Sequence, residues 1–145
     1  MFETILRRLL APQPPRLPDP DERLALAALL VRVARADGEY GGPEVGRIDA
    51  VLRERFGLGP FEAAALRGQA ETFEEEAPDT VRFTRALKDA VPYEERLGII
   101  EALWAVALAD GGRNEDESAL MRLVAPMLGV EDADSALARQ RVERA

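Results

Sequence analysis

The chain has 145 residues, 47% hydrophobic and 32% charged, with 19 Lys and Arg against 27 Asp and Glu, for a net charge of −8. That length and apolar content support one domain with a sizeable core, and the acidic balance repels phosphate backbones, which argues against a nucleic-acid partner. Neither Cys nor His occurs, so no disulfide, thiolate nucleophile, Cys/His zinc site or Ser-His-Asp triad can form from this chain.

Residues 1–20 read as an N-terminal helix and arm. Phe2, Ile5, Leu6, Leu9 and Leu10 have helical spacing, and Pro12, Pro14, Pro15, Pro18 and Pro20 then stiffen the chain. Glu3, Arg7 and Arg8 interrupt the first ten residues, so no secretory signal is read there, and a cytoplasmic location is expected. The basic ends, Arg7, Arg8 and Arg16 and later Arg139, Arg141 and Arg144, read as solvated termini.

The domain itself is expected over 21–145. Asp19-Pro20-Asp21-Glu22 reads as an N-cap, a proline at the first helical position and acids in the first turn. Leu24, Ala27, Leu30, Val31 and Ala34 then follow at core spacing, with Leu26, Leu29 and Val33 widening the apolar face. Such a helix belongs at the centre of a domain, and Asp37-Gly38 should end it. Pro43–Phe56 is the next helix, stopped by Gly57, with Ile48, Val51, Leu52 and Phe56 inward. Pro60–Glu76 offers Phe61, Ala64, Ala65, Leu66 and Phe73 for packing and ends on Glu74, Glu75 and Glu76, read as a solvated face. Pro78–Val91 and a second strongly apolar helix, Pro92–Ala109 with Trp104 in the core, come next. Asn114–Leu128, where Pro126 predicts a kink or an early end, and Asp132–Val142 complete the series. No alternating strand pattern occurs. The prediction is an all-α compact bundle of about seven or eight helices, without a membrane span, since the longest apolar runs, Leu24–Val31 and Ala102–Ala109, fall far short of the roughly 20 residues needed.

The two apolar helices are copies. At an offset of 73, Glu22-Arg23-Leu24 matches Glu95-Arg96-Leu97, Leu30 matches Leu103, and Val33-Ala34 matches Val106-Ala107. Ala36-Asp37-Gly38 matches Ala109-Asp110-Gly111, and Glu44 matches Glu117, giving ten identities in 23 positions. Each copy reads as helix, acidic loop, helix, and two such units are expected to pack about a pseudo-twofold axis.

The matched acids fall at helix ends. Asp37 and Asp110 stand at helix C-termini, where the macrodipole disfavours a carboxylate by roughly 0.3–1 kcal/mol. A divalent cation of the Ca²⁺ or Mg²⁺ type, held by oxygen ligands from these residues with Glu44 and Glu117, would compensate, and Glu39 and Asp116 could join. The alternative is structural: Asp-Gly is a turn pair, and an acid in a first helical turn is favoured by the dipole alone. Neither loop has the twelve-residue calcium-loop pattern, since Ile48 and Met121 occupy the twelfth position.

The segment Ala34-Arg35-Ala36-Asp37-Gly38-Glu39 with Pro43-Glu44, and Ala107-Leu108-Ala109-Asp110-Gly111 with Glu117, resembles the TerB-like tellurite-resistance family over about residues 22–130. Arg82-Phe83-Thr84-Arg85-Ala86-Leu87 between the copies is also similar to it. The resemblance implies an all-helical domain with internal pseudo-symmetry, a role in tellurite or general stress responses often near the membrane, and no established catalytic activity. It also implies an acidic metal site, which falls here on Asp37, Glu39, Glu44, Asp110 and Glu117. Gly112 stands where the first loop has Glu39, so the second loop offers one carboxylate fewer.

Asp37 and Asp110, if close across the axis, would form a coupled pair suited to hydrolysis with a metal, but no substrate cleft is announced, and a non-enzyme is expected. Arg23 and Arg96 recur in both copies and are read as partners of Glu22, Glu95 or the acidic loops. The remaining partner readings are an unidentified protein, a homodimer through the arm, and peripheral membrane association.

Overall fold

The computed structural model describes residues 20–36, 38–77, 79–109 and 115–144; the predicted arm over 1–19, Asp37 and Asp110 lie outside the described residues. Among the described residues the chain forms seven helices and no strand: α1 Glu22–Ala34, α2 Gly42–Phe56, α3 Pro60–Glu76, α4 Val81–Ala90, α5 Tyr93–Ala107, α6 Glu115–Met127 and α7 Asp132–Arg144.

Hydropathy decides the layout. From Ala25 to Ala34 every residue of α1 is buried except Arg32, so this helix can be stable only with cover on all sides. It has that cover, packing against α2, α3, α4, α5 and α6. The second apolar helix, α5, buries Ile99, Ile100, Leu103, Trp104, Val106 and Ala107 against α1, α2, α6 and α7. The surrounding helices add narrower stripes: Ile48 and Leu52 from α2, Phe83 and Leu87 from α4, Met121 and Val124 from α6. Each such side chain contributes about 1.5–3 kcal/mol by leaving water. Trp104 is a core residue as predicted, with its indole N–H donating to Ser135 Oγ at 3.2 Å and Arg139 over its ring.

Most helix ends follow the glycines and prolines. Gly38, Gly57 and Gly129 have φ of 82°, 64° and 76°, the left-handed region that halts a helix without a Cβ penalty. Four details depart from the sequence reading. The first helix begins at Glu22, because Asp21 is its N-cap, Oδ1 accepting from Leu24 N at 2.8 Å, and Pro20 stays outside. α4 begins at Val81 and not at Pro78, with Asp79 Oδ1 accepting from Arg82 N at 3.3 Å. α6 ends at Met127, one residue past Pro126 and one short of the predicted Leu128, and Gly129 closes the turn that follows. On α3 the inward residues are Ala63, Ala70 and Phe73, which leaves Phe61 89% exposed.

Two arginines close the ends of neighbouring helices. Arg32, the one polar residue of α1 between Ala25 and Ala34, donates to Glu74 O at 3.0 Å, Ala77 O at 2.7 Å, Thr80 Oγ1 at 3.3 Å and Glu74 Oε2 at 3.1 Å, while its guanidinium lies over the Phe83 ring. Glu74 O and Ala77 O are carbonyls without intrahelical donors where α3 ends. Arg96, at the start of α5, does the same for α4, donating to Lys88 O at 3.0 Å and Val91 O at 3.1 Å and reaching Leu128 O at 3.5 Å. Arg96 is thus a backbone cap instead of a partner of Glu95, and Arg23 lies over the Phe56 ring. The Glu74–Glu76 run is likewise not a uniformly solvated face, since Glu74 takes Arg32 and Arg35 and is only 13% exposed at its side chain.

Candidate functional site

The first acidic loop leaves α1 through Arg35 and enters α2 at Gly42. Gly38 N donates to Arg35 O at 3.0 Å, which turns the chain back. Tyr40 then anchors it: its hydroxyl donates to Glu71 Oε2 at 2.7 Å, and the Arg35 guanidinium lies 4.8 Å from its ring centre. The anchor is itself held. Arg67 donates to Glu71 at 3.2 Å and to Asp49 of α2 at 2.7 Å, while Arg35 donates to Glu74 Oε1 at 2.7 Å and to Glu71 O at 3.3 Å. Burial pushes the Tyr40 phenol above its ordinary value, and the Glu71 carboxylate at its hydroxyl adds to the shift. Burial works against the Arg35 charge, but Glu74 outweighs it and holds the guanidinium more firmly protonated. At Arg67 the hydrogen bond to Asp49 is the main cause of a shift in the same direction.

Beyond Tyr40 the chain is extended at Gly41, and Gly42-Pro43-Glu44 forms the first turn of α2. Glu44 folds back so that Oε2 accepts from Gly41 N at 3.2 Å, and it is 4% exposed. Such a return bond from the third helical position satisfies one of the backbone donors left over at a helix start. Glu117 occupies the third position of α6 and is 2% exposed. The two glutamates matched by the repeat are therefore both buried, each in the first turn of the helix that follows an Asp-Gly loop. Glu39 is exposed. Asp116, also exposed, lines an open cleft with Arg32, Arg35, Glu74, Leu120 and Leu123.

Of the five acids that the sequence groups together, the structure thus buries Glu44 and Glu117, leaves Glu39 at the surface, and does not describe Asp37 and Asp110. Among the described residues no group of three or more acids is close enough to hold a metal. The donor set is all oxygen, which suits a hard cation, but one oxygen of Glu44 already serves the Gly41 amide. A cation here would need Asp37 or Asp110 in addition to the described glutamates.

The clasp of Tyr40 on Glu71 was not visible in the sequence. Its signals, a tyrosine three residues after an Asp and an arginine five before the tyrosine, acquire meaning only once α3 lies beside the loop. The family described as tellurite resistance protein TerB matches residues 23–140. No curated protein and no solved structure gives a significant match.

Proposed function

We infer the function from one premise: the chain belongs to the tellurite resistance protein TerB family, whose match covers most of its length. It is a tellurite-resistance-associated, all-helical domain, and on our reading its role is non-catalytic. We assign it the binding of a divalent cation of the Ca²⁺ or Mg²⁺ type by Asp37, Glu39, Glu44, Asp110 and Glu117. The observation that supports this is the burial of Glu44 and Glu117, each at the third position of its helix, α2 or α6. A buried carboxylate is stabilised by a positive charge close to it, and a cation shared with the loop aspartates would supply one in addition to the Gly41 amide at Glu44. On this reading the domain works in the cytoplasm and presents the cation-stiffened loops to a protein partner. No helix among the described residues is long and apolar enough to cross a membrane.

The test is thermal unfolding of metal-stripped protein with Ca²⁺, Mg²⁺ and Mn²⁺ added separately. A cation at 100 times its Kd stabilises the folded state by about 2.7 kcal/mol. A saturable rise in Tm for one ion, lost in the Asp37→Asn/Asp110→Asn variant, supports the assignment. A Tm that stays flat to millimolar cation overturns it.

A second reading has its own observation. The bond from Gly41 N to Glu44 makes that acid a helix cap, which is what a protein-interaction or dimerisation domain without any cation would show. It predicts a flat cation response together with self-association in sedimentation.

A further inference from the structure

The contacts between helices come in matched sets. With α5 set against α1, α6 against α2 and α7 against α3, the packing of α1 on α2 and α3 recurs as α5 on α6 and α7. The contact of α2 with α3 recurs as α6 with α7, and that of α2 with α5 as α6 with α1. Among the described residues α4 alone has no counterpart. It precedes α5, packs on α1 and touches α6. A helix in the matching place would precede α1, pack on α5 and touch α2.

That place is an open groove. Ala50 and Val51 of α2, Gly98, Ala102 and Ala105 of α5 and Val142 of α7 line its floor, and Arg55 stands where α2 finishes. At the offset of 73 the counterparts of Gly98, Ala102 and Ala105 are Ala25, Leu29 and Arg32, which share one face of α1. Ala25 and Leu29 are fully buried, and Arg32 donates to Thr80 and lies over the Phe83 ring at the start of α4. Gly98, by contrast, is exposed, and Ala102 and Ala105 are half-buried. The face of α5 that matches the α4 seat on α1 is therefore open.

The chain enters the domain beside this groove, because Glu22 at the start of α1 pairs with Arg55 at 3.8 Å. The proline-rich residues 11–21 reach about 30 Å when extended, enough to lay the preceding segment along it. Phe2, Ile5, Leu6, Leu9 and Leu10 supply a bulky apolar face at helical spacing. From Phe2 to Leu10 a helix rises about 12 Å, the rise of α2 from Arg47 to Arg55 along the groove. We propose that residues 1–10 dock as a helix in the groove between α2 and α5 of their own chain, with their apolar face over Ala102 and Ala105, as α4 sits on α1. The tether holds them at an effective concentration of about millimolar, which favours this chain over a second copy. The docking is independent of the cation assignment.

The chain has no cysteine, so a single nitroxide can be attached at a chosen site of the full, isotope-labelled protein. On Glu54→Cys, at the exposed rim of the groove, it should broaden the amide signals of residues 2–10. On Arg85→Cys, at the exposed face of α4, it should broaden them less. Adding Leu6→Glu/Leu9→Glu to the Glu54-labelled chain should abolish the broadening while the signals of the seven helices stay in place. The comparison of the two label sites uses the native arm, so it does not depend on how that variant folds. Sharp signals for residues 2–10 with the Glu54 label overturn the proposal, as does equal or stronger broadening from Arg85. Broadening that survives Leu6→Glu/Leu9→Glu also overturns it. In a mixture of isotope-labelled native chain with unlabelled, nitroxide-bearing chain the signals should stay sharp. Broadening there as strong as within one chain assigns the groove to a second copy and overturns docking in the same chain.

Discussion

α1 and α5 have matching sequences and different surroundings. Both open with Glu-Arg-Leu, both carry a central leucine, Leu30 or Leu103, and both end in Val-Ala before an Asp-Gly loop. Yet α1 is enclosed by five helices, and its polar contribution comes late, at Arg32, which closes α3. α5 is covered by four, and its polar contribution comes first, at Arg96, which closes α4. At the offset of 73 the counterpart of Arg32 is Ala105, and Arg23, the counterpart of Arg96, lies over an aromatic ring. The repeated residues thus supply the apolar packing common to both helices. The helix-closing arginines do the same job from non-equivalent positions, so the sequence match between the two helices does not extend to their polar roles.

Substitutions can break or sharpen that contrast. The largest effects belong to the matched leucines, both fully buried. Leu30→Ala should cost about 3–5 kcal/mol and Leu103→Ala about 2–4 kcal/mol in urea unfolding, because the more enclosed site has less room to relax. The reverse order would mean that α1 is not the centre of the core. Next comes Arg32→Ala, which removes four hydrogen bonds around the end of α3 and should cost about 2–3 kcal/mol. Arg96→Ala, a cap at a more exposed helix end, should cost about 1–2 kcal/mol, and Arg23→Ala less than half of that. If Arg23 and Arg96 proved equal, the repeat would extend to polar roles after all.

The effect at Tyr40 is small and depends on pH. Tyr40→Phe should cost about 0.5–1.5 kcal/mol near pH 8, with faster hydrogen exchange at the Gly38 and Gly41 amides. Because the folded phenol is held above its ordinary value of 10.0, the folded state keeps its proton when the unfolded chain has lost it. The Tyr40 contribution is therefore complete below pH 10 and fades as pH climbs above that value. The native chain should lose stability on going to about pH 10.5 by a larger amount than the Phe variant does. Equal losses would detach Tyr40 from Glu71.

The helices were legible because their punctuation is local. Gly57 follows Phe56 and Pro60 opens α3 whatever the tertiary fold, and the unbroken apolar run of α1 has nowhere to go but the centre. Phe61 was misassigned because, beside a helix as broad as α1, α3 uses small residues: Ala63 and Ala70 let the backbones approach, and the ring is left outside. The arginine caps were hidden because their targets are carbonyls 42 to 45 residues away along the chain for Arg32, a matter of packing and not of pattern. Of the candidate site, the residue types and spacing were readable. The place of Glu44 in a first helical turn was readable from Pro43-Glu44, whereas its burial and the clasp from Tyr40 to Glu71 depend on the packing of the helices.

The enclosure of α1 sets an order for synthesis. Among the described helices its residues leave the ribosome first, but α5 and α6, which complete its cover, emerge some 60 to 100 residues later. At roughly 5–20 residues per second, that apolar helix spends about 5–20 seconds exposed in the nascent chain. Until α6 arrives, residues 24–34 are a leucine-rich segment with incomplete cover.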